Sequence, residues 1–302
     1  MPPIHVLICT HTPRGLARSL AATIAQQPAS IVVSSDAEDE AISDVVREAS
    51  AHAPMPLGVV TRPHQGQSRS AQVRNNAARM LVSAGLGGPG AVLAFLDGDC
   101  CPMPGWRDAI ERAMSRADLA IGFRIDLTRE QTDAYDDSLV ADGSQRLPVE
   151  PTADQWVKLR ARDRRYRRHA LLRRLGLVKG HKPKVLSANF AVTLDLYRRV
   201  NGFDEEYLGY GGEDDDLGRR VYAAGGRPAI VVASAIVLHQ WHATRAAAKW
   251  EDSPGIARFR AGGPTRCKRG LENPYPQPTP RESWMNAKAR VEAQPSPAAF
   301  TN

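Results

Sequence analysis

The sequence predicts an α/β domain with a doubly wound, mixed but mostly parallel sheet, and three observations support this fold class. Strand-like and helix-like segments alternate along the first half of the chain. The run 91–96 is apolar throughout, as expected of a central strand covered on both faces. Acidic residues follow that run directly, at the strand end where such sheets bind ligands. With 302 residues, the chain is long enough to bury the core of one large domain.

The individual elements follow from the spacing of apolar residues, which differs between strands and helices. The predicted strands cover residues 4–10, 30–34, 57–61, 91–96, 119–124, 186–193, 228–233 and 235–238. The predicted helices cover residues 13–26, 37–51, 67–84, 106–116 and 195–200. A further helix starts in the glycine-rich and acidic cluster 209–216 and runs to about residue 224. The glycine- and proline-rich run 85–90 ends the third helix.

Three segments differ in composition from the predicted sheet. Residues 128–155 are polar and acidic, which is typical of a loop or lid. Residues 156–184 contain twelve lysines and arginines against one acid, Asp163. Beyond about residue 252 the chain is rich in proline, glycine and charge and has little periodicity. We therefore expect this last segment to be largely irregular or to wrap the surface.

Composition limits the class of protein. No apolar run approaches the ~20 residues of a membrane-spanning helix, and the N-terminus lacks the pattern of a secretory signal. We therefore expect a cytoplasmic protein. The four cysteines form no C-x-x-C pair and no zinc-like spacing, which predicts reduced thiols rather than a cysteine-ligated metal. The net charge of +7 indicates an anionic partner without identifying it.

The first candidate site is Asp97-Gly98-Asp99, directly after the apolar run. Two carboxylates separated by one small residue can bind the same hard cation, and Mg²⁺ or Mn²⁺ held there would also contact phosphate oxygens. Gly98 permits a tight turn and a close approach of the backbone. The alternative interpretation is a polar turn after a strand, because short motifs of this kind are common in loops.

The second candidate site is the run of four acids from Glu213 to Asp216. Acids in the first turn of a helix stabilise it by ~0.3–1 kcal/mol each, and this explains Asp215 or Asp216. It does not explain the preceding glycines, among them Gly212, which let the backbone approach a ligand. Glu213 or Asp214 is then available as the carboxylate base that takes the proton of an acceptor hydroxyl.

The third candidate site is the pair His239 and His242, which follows the last predicted strand. Their i, i+3 spacing after a strand favours a position of either imidazole beside a metal. A single histidine is more often structural. Two histidines that follow the acidic cluster in the chain leave the structural and the metal-binding interpretations both open, with a metal role favoured more for His242 than for His239.

Four segments together resemble family-2 glycosyltransferases. Segment 6–14 resembles their first strand and turn, segment 65–75 their N-x-G-x-x-x-A-R-N motif, and segment 95–99 their D-x-D strand end. The most specific match is segment 201–220, which contains NGFDEEY and GGEDDDLGRR. It is similar to the N-G-F-D-E…G-W-G-G-E-D-D-D-L-x-x-R block of these enzymes and of the related β-1,4-galactosyltransferases. The resemblance covers roughly residues 4–245.

The resemblance implies a GT-A fold and an inverting hexosyltransferase with Mn²⁺ or Mg²⁺ as cofactor. Its donor would be a nucleotide diphosphate sugar, with a UDP-sugar favoured, and its acceptor a hydroxyl of a glycan or a lipid-linked glycan, as in polysaccharide biosynthesis. Asp214 would be the acceptor base and Glu213 would bind the acceptor. Asp99 and His242 would hold the metal, with His239 as a further candidate ligand. The implied nucleotide-sugar contacts are Thr10, His11, Arg14, Asp36, Arg74, Asp97 and Gly212.

The match also implies a division of the chain. Residues 1–127 would be the nucleotide-sugar-binding half, 128–185 a basic insertion or lid, 186–251 the acceptor-binding and catalytic half, and 252–302 a proline-rich tail. Three positions depart from the family pattern. Tyr210 stands where the block normally has Trp, Val73 replaces an alanine, and only Asp36 remains of a D-D-G-S motif.

The basic stretch has two interpretations, a solvated helix that covers the sheet or a contact of residues 156–184 with an anionic membrane or a phosphorylated lipid-linked acceptor. The second would place the protein peripherally at the inner face of the membrane. Two rival functions are a protein that binds nucleic acid or another anionic surface and a non-catalytic nucleotide-sugar binder. The chain has no zinc finger, helix-turn-helix or RNA-binding motif, so we expect no nucleic-acid partner. The intact acids of both clusters argue against a non-catalytic binder.

Overall fold

The computed structural model describes residues 2–209, 211–243 and 253–285. Tyr210, one of the three departures from the family pattern, lies outside the described residues. The strands are β1 (Ile4–Thr10), β2 (Ser30–Ser35), β3 (Leu57–Thr61), β4 (Val92–Asp97), β5 (Cys100–Pro102), β6 (Leu119–Ile121), β7 (Ile125–Asp126), β8 (Asn189–Thr193), β9 (Pro228–Ile230), β10 (Val237–His239) and β11 (Arg281–Trp284). The helices are α1 (Leu16–Ala25), α2 (Glu40–Ser50), α3 (Ser70–Ser83), α4 (Trp106–Met114), α5 (Arg129–Asp133), α6 (Asp137–Ala141), α7 (Ala153–Arg174), α8 (Leu194–Arg199), α9 (Glu213–Ala223) and α10 (Pro254–Ala261).

The main sheet has eight strands in the order β11-β3-β2-β1-β4-β8-β6-β9. Strands β3, β2, β1 and β4 are parallel neighbours, and β8 runs antiparallel between β4 and β6. Four of the seven strand pairs are parallel. The predicted fold class, an α/β domain with a mixed and mostly parallel sheet, is therefore confirmed.

Apolar side chains cover both faces of the central strands. Along β1, Leu7 packs into one apolar core and Ile8 into another. Along β4, Phe95 and Leu96 divide in the same way. Successive side chains of a strand point to opposite faces, so a strand that is apolar at every position must be buried on both sides. Each such side chain contributes roughly 1.5–3 kcal/mol through its burial.

A second, small sheet has the order β5-β10-β7 and stands at the edge where β4 ends. Strand β10 is antiparallel to β5 and parallel to β7. The register pairs His239 with Cys100 on one side and with Asp126 on the other. The sequence did not indicate β5 or β7, because strands of two or three residues are too short to produce a periodic pattern.

The segment between β7 and β8 contains the basic helix α7. The side chain of Thr152 accepts a hydrogen bond from the backbone of Gln155, and Gln155 bonds back to Thr152. This capping box starts the helix three residues before the predicted basic stretch. Residues 128–155, predicted as a loop or lid, include the short helices α5 and α6. Among the described residues, no helix combines the length and apolar composition that a membrane crossing requires.

The C-terminal segment is irregular over 262–280, as its composition indicates, and adds helix α10 and strand β11. After α10, the chain crosses to the far edge of the main sheet, where β11 pairs antiparallel with β3. The ring of Trp284 lies against Gly58, where a Cβ atom would come within 3.0 Å of it. The edge strand β3 offers unpaired backbone groups, and pairing with them depends little on the side chains of the added strand. Strand β11 therefore has no periodic pattern in the sequence.

Candidate active site

Gly98 separates two acids that have different partners. Its N–H donates to the carbonyl of Cys9 over 2.8 Å. A Cβ atom at this position would lie 2.7 Å from the Cβ and Oγ1 atoms of Thr10, so only glycine lets β4 turn this closely past the end of β1. Asp97 ends β4, and Asp99 enters the small sheet, where its carbonyl accepts from the N–H of Gln240 over 3.0 Å.

Asp99, His239 and His242 form a cluster with the composition of a metal site. Nε2 of His239 lies 3.4 Å from Oδ2 of Asp99, and Nε2 of His242 lies 3.3 Å from the same oxygen. The three ligand atoms lie within 4.8 Å of one another. A carboxylate and two imidazoles suit a divalent transition metal. The three residues predicted as metal ligands thus lie together in the structure.

Asp126 holds His239 on the side away from the cluster. Nδ1 of His239 donates to Oδ1 of Asp126 over 2.9 Å. Burial alone would lower the pKa of His239, but its hydrogen bonds to Asp126 and Asp99 outweigh burial and raise this pKa. A carboxylate on the far nitrogen fixes the tautomer and orients a metal-binding imidazole. This arrangement presents Nε2 to the cluster.

Arg74 connects the two acidic segments of the sequence. Its guanidinium lies 3.2 Å from Oδ1 of Asp97 and 3.5 Å from Oε1 of Glu213. Burial would lower the pKa of Arg74, but Asp97 and its other acidic neighbours raise it well above its ordinary value. The guanidinium therefore stays charged and balances both acids. Arg74 therefore joins acids that are more than a hundred positions apart in the chain.

Asn75, the residue after Arg74, joins helix α3 to the NGF turn. Its side chain is fully buried and donates to the carbonyl of Phe203 over 2.8 Å. Its amide oxygen accepts from the N–H of Phe203 and from the hydroxyl of Tyr197. Asn75 thus fixes the NGF turn to helix α3. The adjacent Arg74 is held in place because its helix and the loop before α9 are joined at this point.

Glu213 and Asp214 begin helix α9 after two glycines. Gly212 has φ 91°, and a Cβ atom there would lie 2.7 Å from the carbonyl oxygen of Gly255. Glycine is therefore required for both conformation and space. Oε1 of Glu213 accepts a hydrogen bond of 2.9 Å from the hydroxyl of Ser70. Glu213 thus faces α3, on the same side as Arg74.

The carboxylate of Asp214 has one satisfied and one unsatisfied oxygen. Its Oδ2 atom accepts hydrogen bonds of 3.1 Å from both the N–H and the hydroxyl of Ser187. Its Oδ1 atom is buried and has no hydrogen-bond partner among the described residues. Burial and the charge of Glu213 raise the pKa of Asp214 to about 7, against the opposing effects of Arg74 and Ser187. A carboxyl of this pKa gains and loses its proton near neutral pH.

The last two acids of the run have structural partners. Oδ2 of Asp215 lies 2.6 Å from Nζ of Lys184. Asp216 pairs with Arg219 and with the buried Arg220, at 2.7 and 2.6 Å. Their pairing agrees with the interpretation that these two acids stabilise the helix. Glu213 and Asp214 instead contact Ser70 and Ser187.

The remaining residues expected at a nucleotide pocket lie near the ends of β1 and β2. The hydroxyl of Thr10 donates to the carbonyl of Thr12 over 2.7 Å, and His11 and Arg14 are exposed. Asp36 is buried, and its two oxygens accept from the guanidinium of Arg62 and from the N–H of Arg69. Its carboxylate therefore has internal partners, and its predicted nucleotide contact stays a prediction.

The site also contains four residues that the sequence did not single out, namely Ser70, Arg124, Asp126 and Ser187. The guanidinium of Arg124 lies 3.7 Å from Oδ2 of Asp97 and 3.0 Å from Oδ1 of Asp126. Arg124 thus joins the D-G-D turn to the carboxylate behind His239. Its signal in the sequence was weak and consisted of its position as the last residue of the predicted strand 119–124, because strand ends form the ligand-binding edge.

A family model and several curated proteins match part of this sequence. The family model described as the N-terminal domain of galactosyltransferase matches residues 174–242, which include the start of α9 and both histidines. Human and mouse β-1,4-galactosyltransferase 3 are each 49% identical to this chain over 43 residues. That match covers 14% of this chain and 11% of each relative. The chain therefore spans about a tenth of the length of these curated relatives.

A solved structure extends the comparison over most of the chain. The crystal structure of GalNAc-T7 with UDP, GalNAc and Mn²⁺ superposes with a TM-score of 0.51 and 16% sequence identity. The match covers 80% of this chain and 44% of that chain. At this identity the likeness concerns the fold. The chain therefore has the GT-A fold of glycosyltransferases, and its residues 174–242 are similar to a galactosyltransferase domain.

Proposed function

We propose that this protein is a metal-dependent glycosyltransferase that moves a sugar from a nucleotide diphosphate sugar to a hydroxyl of a glycan. The observation that carries this proposal is the position of Arg74 between Asp97 and Glu213. It joins the acids next to the candidate metal cluster and the acids at the start of α9 in one cleft. The galactosyltransferase match over residues 174–242 and the GalNAc-T7 structure with UDP and Mn²⁺ support the same class.

Asp99, His239 and His242 would hold the divalent metal. Bound there, the metal would neutralise the charge that develops on a departing diphosphate. Two of the three candidate ligands are imidazoles, whereas Mg²⁺ prefers an all-oxygen shell. We therefore favour Mn²⁺. Among possible donors we favour a UDP-sugar, in line with the UDP in the GalNAc-T7 structure.

Asp214 is the proposed base for the acceptor. The acceptor oxygen attacks the anomeric carbon while the bond from that carbon to the diphosphate breaks, and the hydroxyl proton passes to Asp214. Attack from the face opposite the leaving group inverts the anomeric configuration. Ser187 holds one oxygen of the carboxylate, and an acceptor hydroxyl would satisfy the other. General base catalysis of this kind contributes about 10²–10⁴-fold in rate.

The groups around the base would bind the two substrates. Arg74 lies between Asp97 and Glu213 and balances the charge of both carboxylates. Asp97 would then accept hydrogen bonds from hydroxyls of the donor, and Glu213 from hydroxyls of the acceptor. Ser70 orients Glu213 through its own hydrogen bond.

The proposal is tested by the release of nucleoside diphosphate from a panel of nucleotide sugars in the presence of Mn²⁺. We expect Asp99→Ala to abolish release and Asp214→Asn to keep donor binding but lose transfer. Release that is insensitive to Asp99→Ala would refute the metal assignment, and transfer retained by Asp214→Asn would remove Asp214 as the base. A filter-binding assay with nucleic acid tests the rival function, and turnover excludes the non-catalytic binder.

We further propose that the C-terminal end of α7 contacts an anionic membrane, which would make a lipid-linked acceptor accessible and place the protein at a membrane surface. Leu171, Leu175 and Leu177 are 59%, 64% and 67% exposed. They stand among exposed cations, including Arg168 and Arg174. Leucines beside arginines suit the boundary of a bilayer with anionic headgroups, whereas exposed leucines contribute little to binding nucleic-acid phosphates.

Co-sedimentation with vesicles tests this contact. We expect binding to phosphatidylcholine vesicles that contain phosphatidylglycerol, and weaker binding after Leu171→Ser with Leu175→Ser. Val157→Ser is the matched control, because Val157 is exposed at 59% in the first half of the same helix. Equal binding of both variants, or binding that ignores the anionic lipid, would contradict the proposal.

A further inference from the structure

A cleft beside the candidate active site lies between the first half of α7 and the segment 123–128. Its floor is apolar and includes Phe123 and Leu159, and its rim is polar. The side chain of Gln155 donates to the carbonyl of Asp126 over 2.8 Å and closes one end. The fold therefore forms a lined cleft that none of the proposed catalytic groups occupies.

The cleft carries an excess of positive charge. Lys158 is balanced by Asp154, at 2.6 Å. Arg162 and Arg165 also line the cleft, and no carboxylate of the described residues lies within 4 Å of either guanidinium. The guanidinium of Arg162 is centred 3.7 Å from the centroid of the Phe123 ring. Stacking on the ring holds Arg162 in a fixed position and leaves its N–H groups to a ligand.

The cleft is continuous with the reaction site through Arg124 and Asp126, which line it. The other contacts of these two residues are with site groups, since Arg124 approaches Asp97 and Asp126 holds His239. The main chain at Phe123 is fixed as well, because Asn189 donates to its carbonyl over 2.8 Å. A ligand in the cleft would therefore lie beside the sugar-transfer site in a defined orientation.

We propose that this cleft binds an anionic group of the acceptor, a carboxylate or a phosphate, through Arg162 with help from Arg165. The inference rests on the proposed glycosyltransferase function and specifies its acceptor class as an acidic glycan. A planar guanidinium binds carboxylate and phosphate oxygens through two parallel hydrogen bonds. The aromatic ring beneath it also offers an apolar surface to a sugar ring.

Isothermal titration calorimetry with three soluble oligosaccharides tests this inference. The protein is first loaded with UDP and Mn²⁺. The first is neutral, the second carries a uronic acid and the third a phosphate monoester on the same backbone. We expect one or both anionic probes to bind more tightly than the neutral one. We expect Arg162→Gln to lower the affinity for the tighter-binding anionic probe roughly tenfold, which is the effect of losing a hydrogen bond to a charged group. Arg162→Lys should recover part of this affinity.

Arg160→Gln is the matched control, because Arg160 is an exposed residue of the same helix that does not line the cleft. It removes the same charge and should leave the preference for the anionic probe unchanged. Equal binding of all three probes, or equal effects of Arg160→Gln and Arg162→Gln, would overturn the inference. If UDP and Mn²⁺ still bind in that outcome, the proposed glycosyltransferase function stands. If UDP and Mn²⁺ do not bind, the result counts against the proposed function itself.

Discussion

Ser187 donates two hydrogen bonds, from its N–H and from its hydroxyl, to the same carboxylate oxygen of Asp214. Hydrogen bonds to the ionised form lower a carboxyl pKa, so Ser187 opposes the effects of burial and of Glu213. The balance leaves the pKa of Asp214 at about 7. One residue in the turn before β8 thus holds Asp214 in position and also lowers its pKa.

This balance predicts a pH dependence of transfer. A base acts only when deprotonated, so kcat/KM should rise with pH up to about 7 and level off above it. Glu213→Gln removes a negative charge and should move the rise to lower pH. Ser187→Ala removes one hydrogen bond to the ionised form and should move it to higher pH. Profiles measured at saturating Mn²⁺ check this, and shifts in the opposite directions would contradict it.

The same pKa predicts how stability depends on pH. The ordinary pKa of 3.8 applies to the unfolded chain and the raised value of about 7 to the folded protein. Between these values the folded protein binds the extra proton, so the contribution of Asp214 to stability falls as pH rises. Asp214→Asn should remove this part of the decline. Thermal unfolding of both proteins across this range measures it, and identical slopes would argue against the raised pKa.

Asp126 should control metal affinity without contacting the metal. Asp126→Asn keeps the size of the side chain but weakens its hold on Nδ1 of His239. Loss of such an outer carboxylate typically costs about 10–100-fold in metal affinity, and we expect this effect on the Mn²⁺ requirement of transfer. Mn²⁺ titration of activity and direct Mn²⁺ binding measure it. Asp44→Asn, a change at an exposed acid of α2, is the control and should leave Mn²⁺ affinity unchanged.

Gly98→Ala should disturb both the fold and the metal cluster. The new methyl group would lie 2.7 Å from Thr10, and overpacking of this kind costs about 1–3 kcal/mol. Asp99 follows directly, so Mn²⁺ affinity should fall with stability. Gly88→Ala is the control, because a Cβ atom there meets no atom within 4 Å. Equal unfolding free energies of the two variants would show that the close approach to Thr10 carries no cost.

Arg74→Met should destabilise the protein and abolish transfer. The substitution keeps much of the side-chain length but leaves Asp97 and Glu213 without their shared cation. Removing one partner of a largely buried ion pair costs about 3 kcal/mol or more. Denaturant unfolding at neutral pH measures the loss. Arg47→Met, which breaks an exposed pair with Asp44, should cost less than about 1 kcal/mol.

The central sheet could be predicted from sequence because its apolar runs are long. Strands β1 and β3 have the predicted bounds, and β2 and β4 differ by one residue. The small sheet could be predicted only in part, because the sequence indicates β10 but not β5 and β7, which have three and two residues. Its existence depends on tertiary pairing rather than on local pattern.

The candidate site was predictable where an unusual residue pattern follows a strand or opens a helix. Asp97, Asp99, Glu213 and Asp214 belong to such patterns. Arg124 and Ser187 do not, because a single arginine or serine near a strand end is common and has no distinctive spacing. Only the contacts to Asp97 and Asp214 reveal their positions in the cleft.

The small sheet makes the order of chain synthesis relevant to the metal. Strand β10 lies between β5 and β7, and His239 reaches Asp99 only when this late segment inserts between two earlier ones. A nascent chain that ends before β10 would present Asp99 and Asp126 without either imidazole. A metal held by all three candidate ligands would therefore require the chain to have been made as far as His242.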